Sequence, residues 1–162
     1  MKTIKDLKAS LPQVGKIEWI GLRPKRRSDV DSVEGVQLSV GEGLEGDHYS
    51  KQGGKRMVTL IQKEHLDVVS ILLDKPIAPS EVRRNIMVSG INLLALHDET
   101  FSLGSDVVLK GTGYCHPCSR MEENLGPGGY NAMRGHGGIT AVVVAGGHIS
   151  IGFEVKLQNE IG

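Results

Sequence analysis

Glycine punctuates this chain. The 22 glycines are about twice the usual share of roughly 7%, and many of them flank short apolar runs. No fixed period relates them, so neither a collagen-like chain nor a repeat array is indicated. Glycine at the ends of short runs suits turns and bends between strands. The pattern therefore constrains the chain to an architecture of many short strands with tight corners.

The runs support this. Gly15–Gly21 partly alternates between apolar and polar residues, and residues 33–40 alternate more cleanly, as half-buried strands do. Gly41-Glu42-Gly43-Leu44-Glu45-Gly46-Asp47 breaks the pattern and reads as a loop. Met57–Ile61 and Ile139–Ala145 are unbroken apolar runs expected to be buried strands. Residues 100–103 and 107–109 read as a hairpin around Gly104-Ser105-Asp106. Strands at 148–151 and 154–157 close the chain. One clear helix is predicted over Lys63–Leu73, where Leu66, Val69 and Leu73 recur at helical spacing before Pro76. Residues 80–84 read as a short helical turn leading into a strand.

Eight or nine short strands without regular helix alternation argue against a doubly wound sheet. They favour a mainly β fold, a single closed or nearly closed β-barrel with one or two short helices. At 162 residues one domain is expected, with an N-terminal arm over 1–14 and the barrel over 15–162.

Charge excludes some functions. The 19 basic and 19 acidic residues balance, which gives no electrostatic case for nucleic acid or an anionic membrane. Arg23-Pro24-Lys25-Arg26-Arg27, followed by Asp29 and Asp31, reads as a solvated turn, with contact to an anionic ligand as the alternative. The start of the chain has no apolar core of signal-peptide length, and no segment approaches the roughly 20 apolar residues of a membrane span. A cytoplasmic protein is expected.

The only two cysteines lie in Tyr114-Cys115-His116-Pro117-Cys118. Two cysteines are no secreted disulfide framework, so free thiols, a redox pair or metal ligands remain. A zinc site needs four ligands. No second Cys-x-x-Cys exists, leaving only a mixed set with His116 and His136. A thioredoxin-like dithiol would sit after an early strand and before a long helix, whereas here glycines follow within ten residues. Two ordinary packed thiols are the plain alternative. Local chemistry favours Cys118. Pro117 suits the first position of a short helix, which would place Cys118 in its first turn, facing N–H groups that favour negative charge. Arg120 adds a cation, and Glu122 and Glu123 oppose it.

Three other constellations carry polar chemistry. Asp47, in Gly43-Leu44-Glu45-Gly46-Asp47-His48, would cap its own loop or orient a ligand. Arg83-Arg84-Asn85 forms a clamp for phosphate or carboxylate, or else a surface turn. Met133-Arg134-Gly135-His136-Gly137-Gly138 would close over an anion. Neither a phosphate-binding Walker loop nor a Ser/His/Asp or His-Glu-x-x-His signature is present.

Taken together and in order, these motifs resemble the MOSC domain, the molybdenum cofactor sulfurase C-terminal domain. The matching stretches are Gly43–Asp47, Arg56–Gln62 with Glu64, Arg83–Gly90, Leu103-Gly104, Cys115–Glu122, Gly137–Val143 and Gly146–Gly152. They span about residues 15 to 157. The resemblance implies a barrel of the pyruvate-kinase-barrel type that binds the molybdenum cofactor (molybdopterin) or carries sulfur. It assigns Cys118 as the sulfur carrier or the thiolate ligand of molybdenum. It assigns Arg83 and Asn85 to the pterin phosphate. Asp47, Arg134 and His136, from the polar loops above, are further expected cofactor-binding residues. Pyridoxal phosphate belongs to a separate desulfurase domain of the eukaryotic sulfurase and is not assigned. Tyr49 stands where members often carry His, and Gly152-Phe153 replaces a closing Gly-Asp. The chain also lacks the extra N-terminal β-domain of the reductase members.

The expected function is cofactor binding or sulfur carriage through Cys118, supporting molybdoenzyme or metal-sulfur cofactor maturation or the reduction of N-hydroxylated compounds, as a sulfurtransferase or a molybdenum-dependent reductase. The expected partners are a small-molecule cofactor or sulfur donor, with an electron-donor or desulfurase protein. The alternatives are a non-catalytic cofactor-binding module and a dithiol redox protein.

Overall fold

The computed structural model describes residues 1–48, 54 and 57–158; Tyr49 and Arg56 lie outside them. Among the described residues there are eleven strands and four α-helices. In chain order they are α1 (Ile4–Lys8), β1 (Gly15–Leu22), β2 (Asp31–Val33), β3 (Gly35–Ser39), β4 (Gly43–Leu44), β5 (Val58–Gln62), α2 (Lys63–Leu73) and β6 (Ile86–Ser89). Then come β7 (Thr100–Leu103), β8 (Val107–Tyr114), α3 (Ser119–Leu125), α4 (Gly129–Met133), β9 (Ile139–Ala145), β10 (Gly147–Ser150) and β11 (Glu154–Leu157).

Seven strands close into a barrel in the order β11-β7-β8-β9-β5-β6-β1, and β1 pairs back to β11 through Gly15↔Val155 and Lys16↔Glu154. Closure leaves the barrel no free edge. β2 extends β1, and β10, β3 and β4 form a small separate sheet. The β5–β6 pair is the parallel one, and α2 supplies its crossover.

The barrel interior is filled by residues such as Ile17, Ile20, Leu60, Phe101, Leu103, Leu109 and Ile139. A second cluster lies outside the barrel wall, where Ile61 and Met87 meet Leu66, Val69, Met121, Leu125 and Met133 from the helices. β5 is thus covered on both faces, and all five of its residues are buried. This is why its sequence is continuously apolar rather than alternating.

Several local expectations change. Gly43-Leu44 is a two-residue strand on β3, inside the stretch read as a loop. Four α-helices replace the expected one or two. α4 begins at Gly129, behind Gly128 with φ 88°, and five residues with two flanking glycines give no helical periodicity to detect. In the arm, α1 carries a capping box between Thr3 and Asp6 and buries none of its residues.

Candidate functional site

At one place on the barrel surface, segments distant in sequence enclose a cleft of about 500 Å³. The end of β1 and the turn after it bring Arg23, Arg26 and Arg27. The turn before β6 brings Arg83 and Arg84. The stretch between β8 and α3 brings both cysteines, and α3 brings Arg120. Six arginines therefore line the cleft, and among the described lining residues there is no carboxylate. Such a wall suits a phosphate or another oxyanion, because guanidinium groups offer forked donors at fixed geometry.

The two cysteines are unequal. Cys115 is 5% exposed and its backbone N–H donates to the Gly138 carbonyl at 2.9 Å. Cys118 is exposed and both thiols are free. Cys118 is the N-cap residue of α3, with φ −127° and ψ 178°. Pro117 thus precedes the helix instead of opening it, and Cys118 stands at the helix end and not within its first turn.

Glycines hold the cysteine loop in place. Gly138 has φ 86°, and a Cβ there would lie 1.8 Å from the Leu60 carbonyl oxygen. A Cβ at Gly137 would lie 2.0 Å from the Cys115 carbonyl oxygen. Only residues without a side chain allow this close approach of backbones. Arg84 ties the same segment down, donating from Nε to the Gly137 carbonyl at 2.9 Å and from Nη1 to the Val82 carbonyl at 2.7 Å.

Asp47 and Asn85 take a different part from the one expected. Both are buried, Asn85 completely, and neither lines the cleft. They secure Arg23 from beneath. Asp47 accepts from Arg23 Nε at 3.1 Å and Nη2 at 3.0 Å, and from its backbone N–H at 2.8 Å. Asn85 Oδ1 accepts from Arg23 Nη2 at 2.9 Å, while its Nδ2 donates to Asp47 and to the Gly21 carbonyl, each at 3.1 Å. Thr59 completes the set by donating to Asn85 Oδ1 from its N–H and its hydroxyl. A buried carboxylate and amide thus fix the orientation of one cleft arginine.

Arg83 lines the cleft. It has φ 59° and donates from Nη1 to the Ser28 carbonyl, which binds it to the Arg26-Arg27 turn. Arg134 and His136 are placed elsewhere. Arg134 is exposed and donates to Asn131 at 3.4 Å, and His136 packs edge-on against His65 with ring centroids 5.6 Å apart. Neither lines the cleft. Among the described residues, no group of three or more His, Cys, Asp and Glu side chains is placed to hold a metal ion.

Arg23, Arg26 and Arg27, read first as a solvated turn, and Arg120, read only as a cation near Cys118, all line the cleft. The signal was present in the run Arg23–Arg27, whose alternative reading as an anion contact matches its place in the cleft. What the run does not reveal is Asp47, 24 residues away, which holds Arg23.

Comparisons agree with this architecture. The MOSC domain profile matches residues 46–156. The fold is similar to the YuaD protein from Bacillus subtilis, at 17% identity over 90% of this chain and 96% of that one, with a TM-score of 0.77. It is also similar to YiiM from Geobacillus stearothermophilus (17% identity, 91% and 77% of the two chains, TM-score 0.73) and YiiM from Escherichia coli (17%, 91% and 71%, TM-score 0.66). Identity at this level shows a shared fold. No curated protein sequence matches the chain. No helix among the described residues is long and apolar enough to cross a membrane.

Proposed function

Because the chain belongs to the MOSC domain family, which is associated with molybdenum cofactor binding or sulfur transfer, we propose that it binds the molybdenum cofactor through Cys118 and the arginine cleft. The observation that carries this reading is an exposed thiol on a cleft with six arginines and, among the described residues, no acidic lining residue. The donor set fits the group: a thiolate is a soft ligand suited to the metal, and guanidinium groups suit the pterin phosphate. Arg26, Arg27, Arg83 and Arg120 would hold that phosphate. Asp47 and Asn85 would act through Arg23, as positioning residues beneath it. When bound, the cofactor would supply two-electron chemistry of the kind that reduces N-hydroxylated compounds. An electron-donor protein would then be the partner.

The same thiol supports a second reading, sulfur carriage. The Cys118 thiolate would attack the terminal sulfur of a donor persulfide. The donor's S–S bond breaks, a new S–S bond forms on Cys118, and the donor leaves as a thiolate. The step needs no external oxidant or reductant, and a desulfurase would be the partner. A dithiol redox role is less well supported, because Cys115 is buried and packed against the glycine segment.

Elemental analysis of protein purified from a host that makes the cofactor tests the leading reading. Molybdenum approaching one atom per chain is expected. A metal-free protein carrying a persulfide on Cys118 would favour sulfur carriage, and protein with neither would contradict both.

A further inference from the structure

The arginine cleft does not end at the thiol. A second cavity of about 330 Å³ abuts it and shares Arg27, Arg83 and Arg120 as a common wall. Each cavity falls within the roughly 300–1,000 Å³ typical of small-molecule sites. The second is therefore large enough to receive a group of its own.

Its chemistry differs from that of the first. Beyond the shared arginines, the second cavity is lined by Ser28, Asp29, Val30, Ser80, Glu81 and Asn124, and one Glu81 oxygen already accepts from the Ala78 N–H at 2.7 Å. Asp29 and Glu81 bring carboxylates, which repel a phosphate and accept hydrogen bonds from hydroxyl and amino groups. Three of the six arginines thus lie at the boundary between two lobes, and Arg23, Arg26 and Arg84 line the first alone. One lobe faces the thiol and the other faces neutral-donor chemistry.

That order of charges matches a ligand with an anionic bridge between two parts. Resting on the cofactor-binding reading above, we propose that the second cavity takes the nucleoside part of a nucleotide-extended ligand, with its diphosphate lying along Arg27, Arg83 and Arg120. Sugar hydroxyls and base amino groups would donate to Asp29 and to the carboxylate edge. A ligand with a single phosphate and no nucleoside would leave this cavity unused.

The test titrates the purified full chain with ADP, CDP, GDP and inorganic pyrophosphate by calorimetry, at low ionic strength with a chelator present. At least one nucleoside diphosphate should bind at least tenfold more tightly than pyrophosphate, at one per chain. Asp29→Ala should bring that affinity down to the pyrophosphate level while leaving pyrophosphate binding no weaker. Pyrophosphate binding as tightly as every nucleoside diphosphate would overturn the nucleoside site and leave the arginine cleft standing as an anion site. An unchanged preference in Asp29→Ala would also overturn it, because the nucleoside would then lie elsewhere. Failure of all four probes to bind would overturn it too. In each case the molybdenum content of the wild type separately decides the cofactor reading.

Discussion

Arg23 and Asp47 meet as a two-point ion pair, Nε to Oδ1 at 3.1 Å and Nη2 to Oδ2 at 3.0 Å, with side chains 10% and 1% exposed. Removing one partner from a buried pair leaves an uncompensated charge and costs about 3–5 kcal/mol. Asp47→Ala is therefore expected to lower unfolding stability by about that amount in urea titrations. A loss below about 1 kcal/mol would show that the pair is not what holds this corner of the cleft.

Gly138→Ala tests the close approach beneath the cysteine loop. The left-handed conformation alone costs about 1–3 kcal/mol for a residue with a side chain, and the Cβ would also overlap the Leu60 carbonyl. The variant should be destabilised by more than the conformational cost. It should also expose Cys115, read as faster alkylation of that thiol. Wild-type stability and Cys115 protection would contradict the packing described.

His65 gives a pH dependence of defined sign. Its pKa is lowered from 6.5, first by burial and then by His136, and its Nδ1 is buried with no hydrogen-bond partner among the described residues. The unfolded chain therefore takes up this proton before the folded one does. The stability contribution is full above about pH 6.5 and declines as pH falls through the window down to the folded pKa. Thermal unfolding followed from pH 7.5 downward should show this slope, and His65→Phe should flatten it. An unchanged slope in the variant would place the titration elsewhere.

Arg26 and Arg27 are exposed, so replacing both with Ala should change stability by only about 0.5 kcal/mol each way. Hydrogen bonds to charged groups contribute about 1.5–3 kcal/mol. Loss of either contact should therefore weaken anion retention roughly tenfold or more, read as the fraction of cofactor kept through gel filtration. Full retention would remove this turn from the site.

How much of this was legible in the sequence depends on whether the information is local. Ile139–Ala145 and Val58–Gln62 declare themselves as buried strands by unbroken apolar runs, and Lys63–Leu73 by helical spacing. The inequality of the two cysteines was readable from the MOSC resemblance, whereas the reading from Pro117 put Cys118 inside a helix that begins one residue later. The part played by Asn85 was not. Its value lies in reaching Arg23, 62 residues away, a contact that closure of the barrel creates. Arg134 and His136 look as suitable for an anion as Arg83 does, yet the chain after α4 carries them away from the cleft. Gly43-Leu44 becomes a strand because β3 offers a free edge there, which the composition of the segment cannot show.

Cys118 carries the account, and its replacement tests it most directly. Wild type, Cys115→Ser and Cys118→Ser should be purified from one cofactor-competent host and measured for bound molybdenum and for persulfide sulfur. The account predicts loading near one per chain in wild type and Cys115→Ser, with loss in Cys118→Ser. Equal loading of Cys118→Ser, or transfer of the loss to Cys115→Ser, would contradict it.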